Sequence, residues 1–353
     1  MNGITHERPG VYSAYDTSAV TAGGRAARNI GVAAKAAKGT VGEAATFTGY
    51  AAGVSLFGED TAPGMSTLLR LLFANGAAQV TAVRVADKGE LEDYQAAFAA
   101  LERENVQIVI CDSAAENVQQ ALRTAVESAS ALRRERIAVV GGTEMSVSQL
   151  VSRAAALNSE RVVLVGPDAL DGKGQPLPGV FAAAALAGAV ASQNDPAVPL
   201  NGAEVKGLCG LTKDYTDNDI DLLVRGGVTP LECAAGKVSP VRGVTTRTTT
   251  GEAADTTWRE LTTILIVDDV IPAVRNGLRS KFARSKNTPQ GRAAIRSQVI
   301  VELERKLAAE IIESYDEVTV TASADDPTVC LVEFGFTVAH GLNQVYLTVH
   351  ITV

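Results

Sequence analysis

The sequence predicts an α/β core with a mostly parallel, helix-covered sheet, followed by an α+β C-terminal domain that carries a helix pair, with extended arms at both ends. Three observations predict it. Short β-branched runs, VQIVIC (106–111), RIAVVGG (136–142) and RVVLVG (161–166), are separated by amphipathic stretches at 114–134 and 146–157. Strands buried on both faces and joined by crossover helices read this way. Two later stretches repeat apolar residues at helical spacing: Ile271, Val274, Leu278 and Phe282, then Ile300, Leu303, Leu307 and Ile311. From Val345 onward apolar and polar residues alternate, the period of a strand that buries one face.

Taken in order, residues 1–30 form an N-terminal arm. Pro9 biases its predecessor away from helix, Gly10 punctuates, and Gly23-Gly24 interrupts the rest of the arm. Residues 31–75 read as a connecting segment. The α/β core covers 76–200 and begins with the apolar run QVTAVRV (79–85). Its Gly/Pro-rich stretch GPDALDGKGQPLPG precedes a small-residue helix from Val180, and NDPAVPLNGAEVKG follows as a surface connection. Residues 201–250 read as short strands and turns.

The C-terminal domain spans 251–342. LTTILIV reads as a strand, and Asp268-Asp269 as the start of the first helix. Thr288 is placed to cap the second helix, with Pro289 in its first turn. EVTVTA and TVCLVEFGFTV follow, and 343–353 form a C-terminal arm in which Val345, Leu347, Val349 and Ile351 alternate with Tyr346, Thr348 and His350. Pattern alone leaves two arrangements open for that last strand. It closes a meander in its own chain through AHGLN, or it pairs with another chain.

Composition narrows the function. A net charge of −8 over 353 residues argues against a general binder of nucleic acid or anionic membrane, since both repel an acidic surface. MNGITHERPG has no apolar core of a secretory signal, and the longest small-apolar run, VFAAAALAGAVA, is far shorter than the roughly 20 residues that span a bilayer. Cytoplasmic synthesis and folding are expected, with Cys111, Cys209, Cys233 and Cys330 as buried free thiols, because their spacing contains no CxxC.

Catalytic motifs are near-misses. GVSLFG departs from G-x-S-x-G by one residue, and DGKGQPLPG satisfies neither phosphate-binding glycine pattern. Asp217, Asp219 and Asp221 stand at calcium-loop positions, but Leu222 replaces the required Gly and Val228 the bidentate Glu, so DNDID reads as a solvated acidic turn. His6, His340 and His350 have no metal-binding spacing. No catalytic, cofactor or metal residue is assigned. The alternative from another class is a nucleotide-binding α/β enzyme, with its ligand at the strand ends.

One charge feature stands out. No Asp or Glu occurs between Val270 and Val301, whereas Arg275, Arg279, Lys281, Arg284, Lys286, Arg292 and Arg296 crowd the helix pair and its turn. In an acidic chain this is either a solvated face or a dock for an acidic partner.

Several segments, in this order, resemble a contractile tail sheath protein of myophage tails, R-type bacteriocins and related injection machines: RPGVY, GAAQVTAVRV, PGVFAAAALAGAVAS, LTTILIVDDVIPAVRNGLRSKF with NTPQGR, and VYLTVHITV. The resemblance covers most of the chain and is weakest at 200–250. It implies a structural subunit that polymerises helically around an inner tube and contracts to drive it through a target envelope. Partners would be further copies, the inner tube protein, and baseplate and tail-terminator proteins, with no nucleic acid, membrane insertion or cofactor. Assembly in the bacterial cytoplasm would precede incorporation into a phage tail or extracellular particle.

It also implies that neighbouring subunits complete the C-terminal β-sheet. EVTVTA and TVCLVEFGFTV would form a hairpin turning at Asp325-Asp326-Pro327, whose edges accept two arms by β-augmentation. One arm would come from around Pro9, Gly10, Val11 and Tyr12 of one neighbour, and the other from Val345, Tyr346, Leu347, Val349 and Ile351 of another. The basic residues of the helix pair would then face the tube.

Overall fold

The computed structural model describes residues 28–343. Its first elements are β1 (Ile30–Ala34), β2 (Ala44–Phe47), α1 (Tyr50–Phe57) and α2 (Met65–Ala74). Strands and helices then alternate: β3 (Val80–Arg84), α3 (Leu91–Glu102), β4 (Ile108–Cys111), α4 (Glu116–Ala131), β5 (Ile137–Gly141), α5 (Val147–Leu157) and β6 (Val162–Gly166). Short strands β7 (Ala169–Leu170), β8 (Pro176–Leu177) and β9 (Gly210–Leu211) form a small sheet beside α6 (Gly179–Ser192). α7 (Asp217–Arg225), β10 (Val228–Ala234) and β11 (Lys237–Pro240) follow, then the hairpin of β12 (Thr249–Thr250) and β13 (Ala253–Ala254).

The main sheet has eight strands in the order β11-β10-β6-β5-β4-β1-β3-β2. The inner pairings are parallel; β2 against β3 and β11 against β10 are antiparallel. Alternation along each strand sends side chains to two separate cores. Ile30, Val32, Ile108, Ile110, Val139 and Val163 meet α2, α6 and the start of a later helix. Ala33, Val83, Val109, Cys111, Val140 and Leu164 meet α3, α4 and α5 on the other face. The predicted α/β core with a mostly parallel, helix-covered sheet is therefore present. α6 is buried nearly all round, and its small residues allow close approach. A Cβ on Gly188 would lie 2.8 Å from the Leu72 carbonyl oxygen of α2 and from the Cβ of Asn75, which caps it.

Four expectations need correction. Residues 31–75 are not merely a connecting segment, because β1 pairs with both β3 and β4 in the interior of the sheet. IGVAA is short and small-sided, and its burial on both faces comes from its neighbours rather than from any alternation of its own. Within 201–250, β10 runs parallel to β6 and extends the main sheet. DNDID is the first turn of α7: the Thr216 hydroxyl accepts from the Asp219 N–H, and the Asp219 carboxylate accepts from the Thr216 N–H. This reciprocal cap, with acids at the positive end of the helix dipole, accounts for the acidic cluster.

The third correction concerns LTTILIV. It forms the first two turns of α8 (Leu261–Phe282), a 22-residue helix. Leu261, Ile264, Leu265 and Val267 face the first sheet core, while Ile266 and Val270 face a third core. A helix wedged between two cores is apolar all round, so its run shows no 3.6 period and reads as a strand. Asp268 and Asp269 consequently sit in mid-helix rather than at its start. All four cysteines are free thiols; Cys111 is buried, and burial pushes its pKa up to about 12, but against expectation Cys209 is exposed and Cys233 and Cys330 are half-buried.

Candidate assembly surface

The remaining elements form the C-terminal unit. Thr288 caps α9 (Pro289–Ala308), its hydroxyl accepting from the Gly291 N–H at 3.1 Å with Pro289 in the first turn, as expected. β14 (Ile312–Tyr315), β15 (Thr319–Ala322), β16 (Cys330–Glu333) and β17 (Phe336–Val338) follow. β15 pairs with β16 and β14 with β17, both antiparallel. The Asp316 N–H donates to the Gly335 carbonyl at 2.8 Å between the two pairs, so together they make one two-stranded ribbon. Its turn lies at 323–329, around the expected Asp325-Asp326-Pro327, where the Asp326 carboxylate accepts from the Thr328 N–H at 2.7 Å. Asn287 ties the turn to the entry of α9 by donating to the Pro327 and Val329 carbonyls.

One face of the ribbon is covered. Ile312, Val318 and Val338 join Val270, Val274, Leu278, Val299 and Leu303 in a core built by α8, α9 and the ribbon. Phe334 and Phe336, stacked with ring centroids 5.6 Å apart, lean on this core. The opposite face is open: Thr319, Thr321, Leu331 and Glu333 are exposed. Among the described residues, no further strand pairs with either edge. An unpaired ribbon edge presents a row of backbone donors and acceptors, the kind of template to which another strand adds.

The seven basic residues do not act as one patch. Arg275 lies against the α/β body in a two-pronged pair with Glu135, at 2.6 and 3.3 Å. Arg292 donates to the Asn287 side chain, and Arg296 donates to the Val318 carbonyl at 2.7 Å and to Glu317. These two fasten the ribbon and its turn to α9. Lys281 is exposed, with its ammonium on the Gln298 side chain. Arg279, Arg284 and Lys286 are exposed and enter no ion pair among the described residues. The free positive surface is therefore the C-terminal end of α8 and the turn after it. The arm residues Pro9, Gly10, Val11 and Tyr12, and Val345, Tyr346, Leu347, Val349 and Ile351, lie outside the described residues.

Where the sheet reverses direction, between the C-terminal ends of β1 and β4, a doubly wound enzyme would hold its ligand. Here the Asp112 carboxylate is engaged by the Tyr94 hydroxyl at 2.5 Å and the Lys35 N–H at 2.9 Å. Burial pushes its pKa up, against the pull of those bonds. A cavity of about 40 Å³ lies elsewhere, lined by Arg28, Gln107, Glu135, Asp268 and Asp269. Pockets for small ligands run to roughly 300–1,000 Å³.

The sequence model of the phage tail sheath protein central domain matches residues 88–246, and that of the phage tail sheath C-terminal domain matches 253–352. The chain belongs to the phage tail sheath family. Solved structures of sheath proteins share its fold. A sheath tail protein of Desulfitobacterium hafniense superimposes with a TM-score of 0.75 at 13% identity, covering 98% of this chain and 100% of that one. The helical sheath of the anti-feeding prophage in its contracted state gives 0.73 at 15% identity, with 98% and 99% covered. The contracted sheath of an extracellular contractile injection system, PVC, gives 0.70 at 16%, with 99% of each chain covered. No curated protein matches the sequence. A structural sheath role fits a chain whose C-terminal unit carries open strand edges. No helix among the described residues is long and apolar enough to cross a membrane.

Proposed function

We propose that this chain polymerises helically around an inner tube and contracts to drive that tube through a target envelope, its subunits linked by exchanged terminal strands. The observation that carries the reading is the two-stranded ribbon with both edges unpaired among the described residues. An arm around Val345–Ile351 of one neighbour and an arm around Pro9–Tyr12 of another would each add a strand. Burying each apolar side chain of the C-terminal arm gives about 1.5–3 kcal/mol, and ordering each of its residues costs about 1–2 kcal/mol. A single arm is marginal. In a lattice each docks at high effective concentration, so the mesh is strong although each link is modest.

Arg279, Lys281, Arg284 and Lys286 are the proposed tube contacts, their exposure supporting that role. Positive side chains against an acidic tube give screened, breakable contacts. Arg275, Arg292 and Arg296 leave the set because their guanidinium groups serve the chain's own fold. Baseplate and tail-terminator proteins are the further proposed partners. Assembly would take place in the bacterial cytoplasm, before incorporation into a tail or extracellular particle.

Electron microscopy of the full-length chain beside a truncation ending at Leu342, each mixed with its tube protein, tests the proposal. Sheathed tubes from the full chain and soluble subunits from the truncation are expected. Equal assembly by both would place the terminal strand in its own domain and overturn strand exchange.

A further inference from the structure

Opposed residues of an antiparallel ribbon alternate between pairs that exchange backbone hydrogen bonds and pairs whose N–H and C=O groups point outward. The Ser323 N–H donates to the Val329 carbonyl at 3.0 Å, and the same register runs from Ala322 opposite Cys330 to Thr319 opposite Glu333. Thr321 with Leu331, and Thr319 with Glu333, are therefore the bonded pairs. Val320 and Ala322 aim their backbone groups out of one edge, and Cys330 and Val332 out of the other.

The two edges differ. From Tyr315 to Thr319 the first strand advances four residues while its partner, from Phe336 back to Glu333, advances three; from Ile312 to Ser314 it advances two against one. Both extra residues sit on the β14 and β15 side, and such bulges bend an edge and blunt it. A carbonyl of that edge is also engaged: Arg296 of α9 donates to Val318 at 2.7 Å and to the Glu317 carboxylate at 3.1 Å. No group among the described residues engages the outward N–H and C=O of Cys330 and Val332 on the β16 side.

The same register decides what each edge can take. Val320 and Val332 lean on the C-terminal core, while Thr319, Thr321, Leu331 and Glu333 point to solvent. A strand added at β16 would continue an apolar row inside and a mainly polar row outside. The C-terminal arm supplies that pattern without proline or acid, Val345, Leu347, Val349 and Ile351 alternating with Tyr346, Thr348 and His350. The N-terminal arm instead carries Arg8 and Pro9. Proline brings no N–H, so this arm suits an edge with one carbonyl taken and with Glu313, Asp316 and Glu317 exposed along it. The link after β17 is drawn onto the body, where Gly341 lies on Pro199 and the Asn343 side chain accepts from Asn201 at 2.8 Å. The C-terminal arm thus sets out from the loop after α6 rather than from a turn beside β16, which favours a seat on another copy.

We propose that the two ribbon edges are not interchangeable: the β16 edge seats the C-terminal arm of a second copy, and Arg296, by holding the Val318 carbonyl, bars that arm from the β15 edge. This assignment rests on the strand exchange proposed above and gives it a direction, because each ribbon takes one C-terminal arm at one edge. A ribbon that accepted the arm at both edges would let the array branch.

Disulfide trapping in sheaths assembled on tubes tests the assignment, in a full chain carrying Cys209→Ser and Cys233→Ser; Cys111 is buried. Val345→Cys, Leu347→Cys, Val349→Cys and Ile351→Cys are introduced one at a time. Oxidation should link at least one of them to the native Cys330 of a neighbour, giving a ladder of multimers on a non-reducing gel. Moving the acceptor across the ribbon with Cys330→Ser and Ala322→Cys should abolish the ladder. Adding Arg296→Ala should bring back a weaker one, since the N-terminal arm competes there, whereas Arg296→Lys, which can still donate to Val318, should not. A ladder through Ala322→Cys with Arg296 in place overturns the choice of edge, as does the absence of any link to Cys330 from all four arm positions. Failure of Arg296→Ala to admit the arm overturns the role of Arg296. Disulfides to Cys330 that close single chains without a ladder leave the edge standing and overturn exchange between copies.

Discussion

The α/β body and the C-terminal unit of this chain are built to different standards of closure. In the body, the inner strands β1, β4, β5 and β6 are covered on both faces, and loop residues cover the outermost strand β11: the Val205 and Gly202 N–H groups donate to the Val238 and Pro240 carbonyls. In the C-terminal unit two strands are covered on one face, and neither edge is paired among the described residues. A two-stranded sheet is marginal unless it packs against helices or gains strands. The body closes both faces of its sheet and leaves one strand edge, that of β2, without a partner among the described residues, whereas the ribbon leaves one face and both edges open.

Arg161→Ala should give the largest change, because it strands the buried Asp268 carboxylate; about 3–5 kcal/mol of stability should be lost in urea unfolding. Burial already pushes the Asp268 pKa up against the opposing pull of Arg161, so removing the guanidinium removes its largest compensation. Next, Leu122→Ala in α4 and Leu303→Ala in α9 remove equally buried side chains, each at a cost of about 2–5 kcal/mol. The first should lower protection of the whole main sheet in hydrogen exchange. The second should open the ribbon while β4 and β5 stay protected; uniform loss in both variants would merge the two regions into one.

A smaller cost, about 1–3 kcal/mol, is expected for Gly188→Ala, whose methyl group meets the α2 backbone; thermal melting checks it. Charge reversal at Arg279 and Arg284 should leave stability within about 0.5 kcal/mol, since both are exposed and enter no ion pair among the described residues, yet reduce sheath formation on tubes in a sedimentation assay. Unchanged assembly would remove these residues from the tube surface.

A modest effect is expected for Thr216→Ala at the α7 cap, about 1 kcal/mol or less. The Thr216 hydroxyl and N–H hold the Asp219 carboxyl below the usual range. A depressed carboxyl adds stability above its unfolded value and loses it as pH falls through the folded one. The parent's advantage over the variant should therefore be full above about pH 4 and fade in more acidic buffer, as urea midpoints taken across that range will show.

Much of the body was legible because burial on both faces forces β-branched runs. The runs at 106–111, 136–142 and 161–166 contain β4, β5 and β6. β1 escaped because IGVAA takes its burial from the strands on either side. LTTILIV misled because a helix held between two cores loses its period. At α7 the clue was present as a threonine followed three residues later by Asp219, but the closely spaced acids drew the reading toward a turn. Of the candidate surface, the helix pair, the Thr288 cap and the hairpin were readable, whereas the division of the basic run was not. Arg275 and Arg279 are a single turn apart, and only the packing of α8 turns one onto Glu135 and the other to solvent.

The most direct test of the contrast between covered body and open ribbon is hydrogen–deuterium exchange on the free chain and on polymerised sheath. Amides of β15 and β16 should gain large protection on assembly, while those of β4, β5 and β6 stay as slow as in the free chain. Ribbon amides equally protected in both forms would contradict the account, for the ribbon would then be complete within its own subunit.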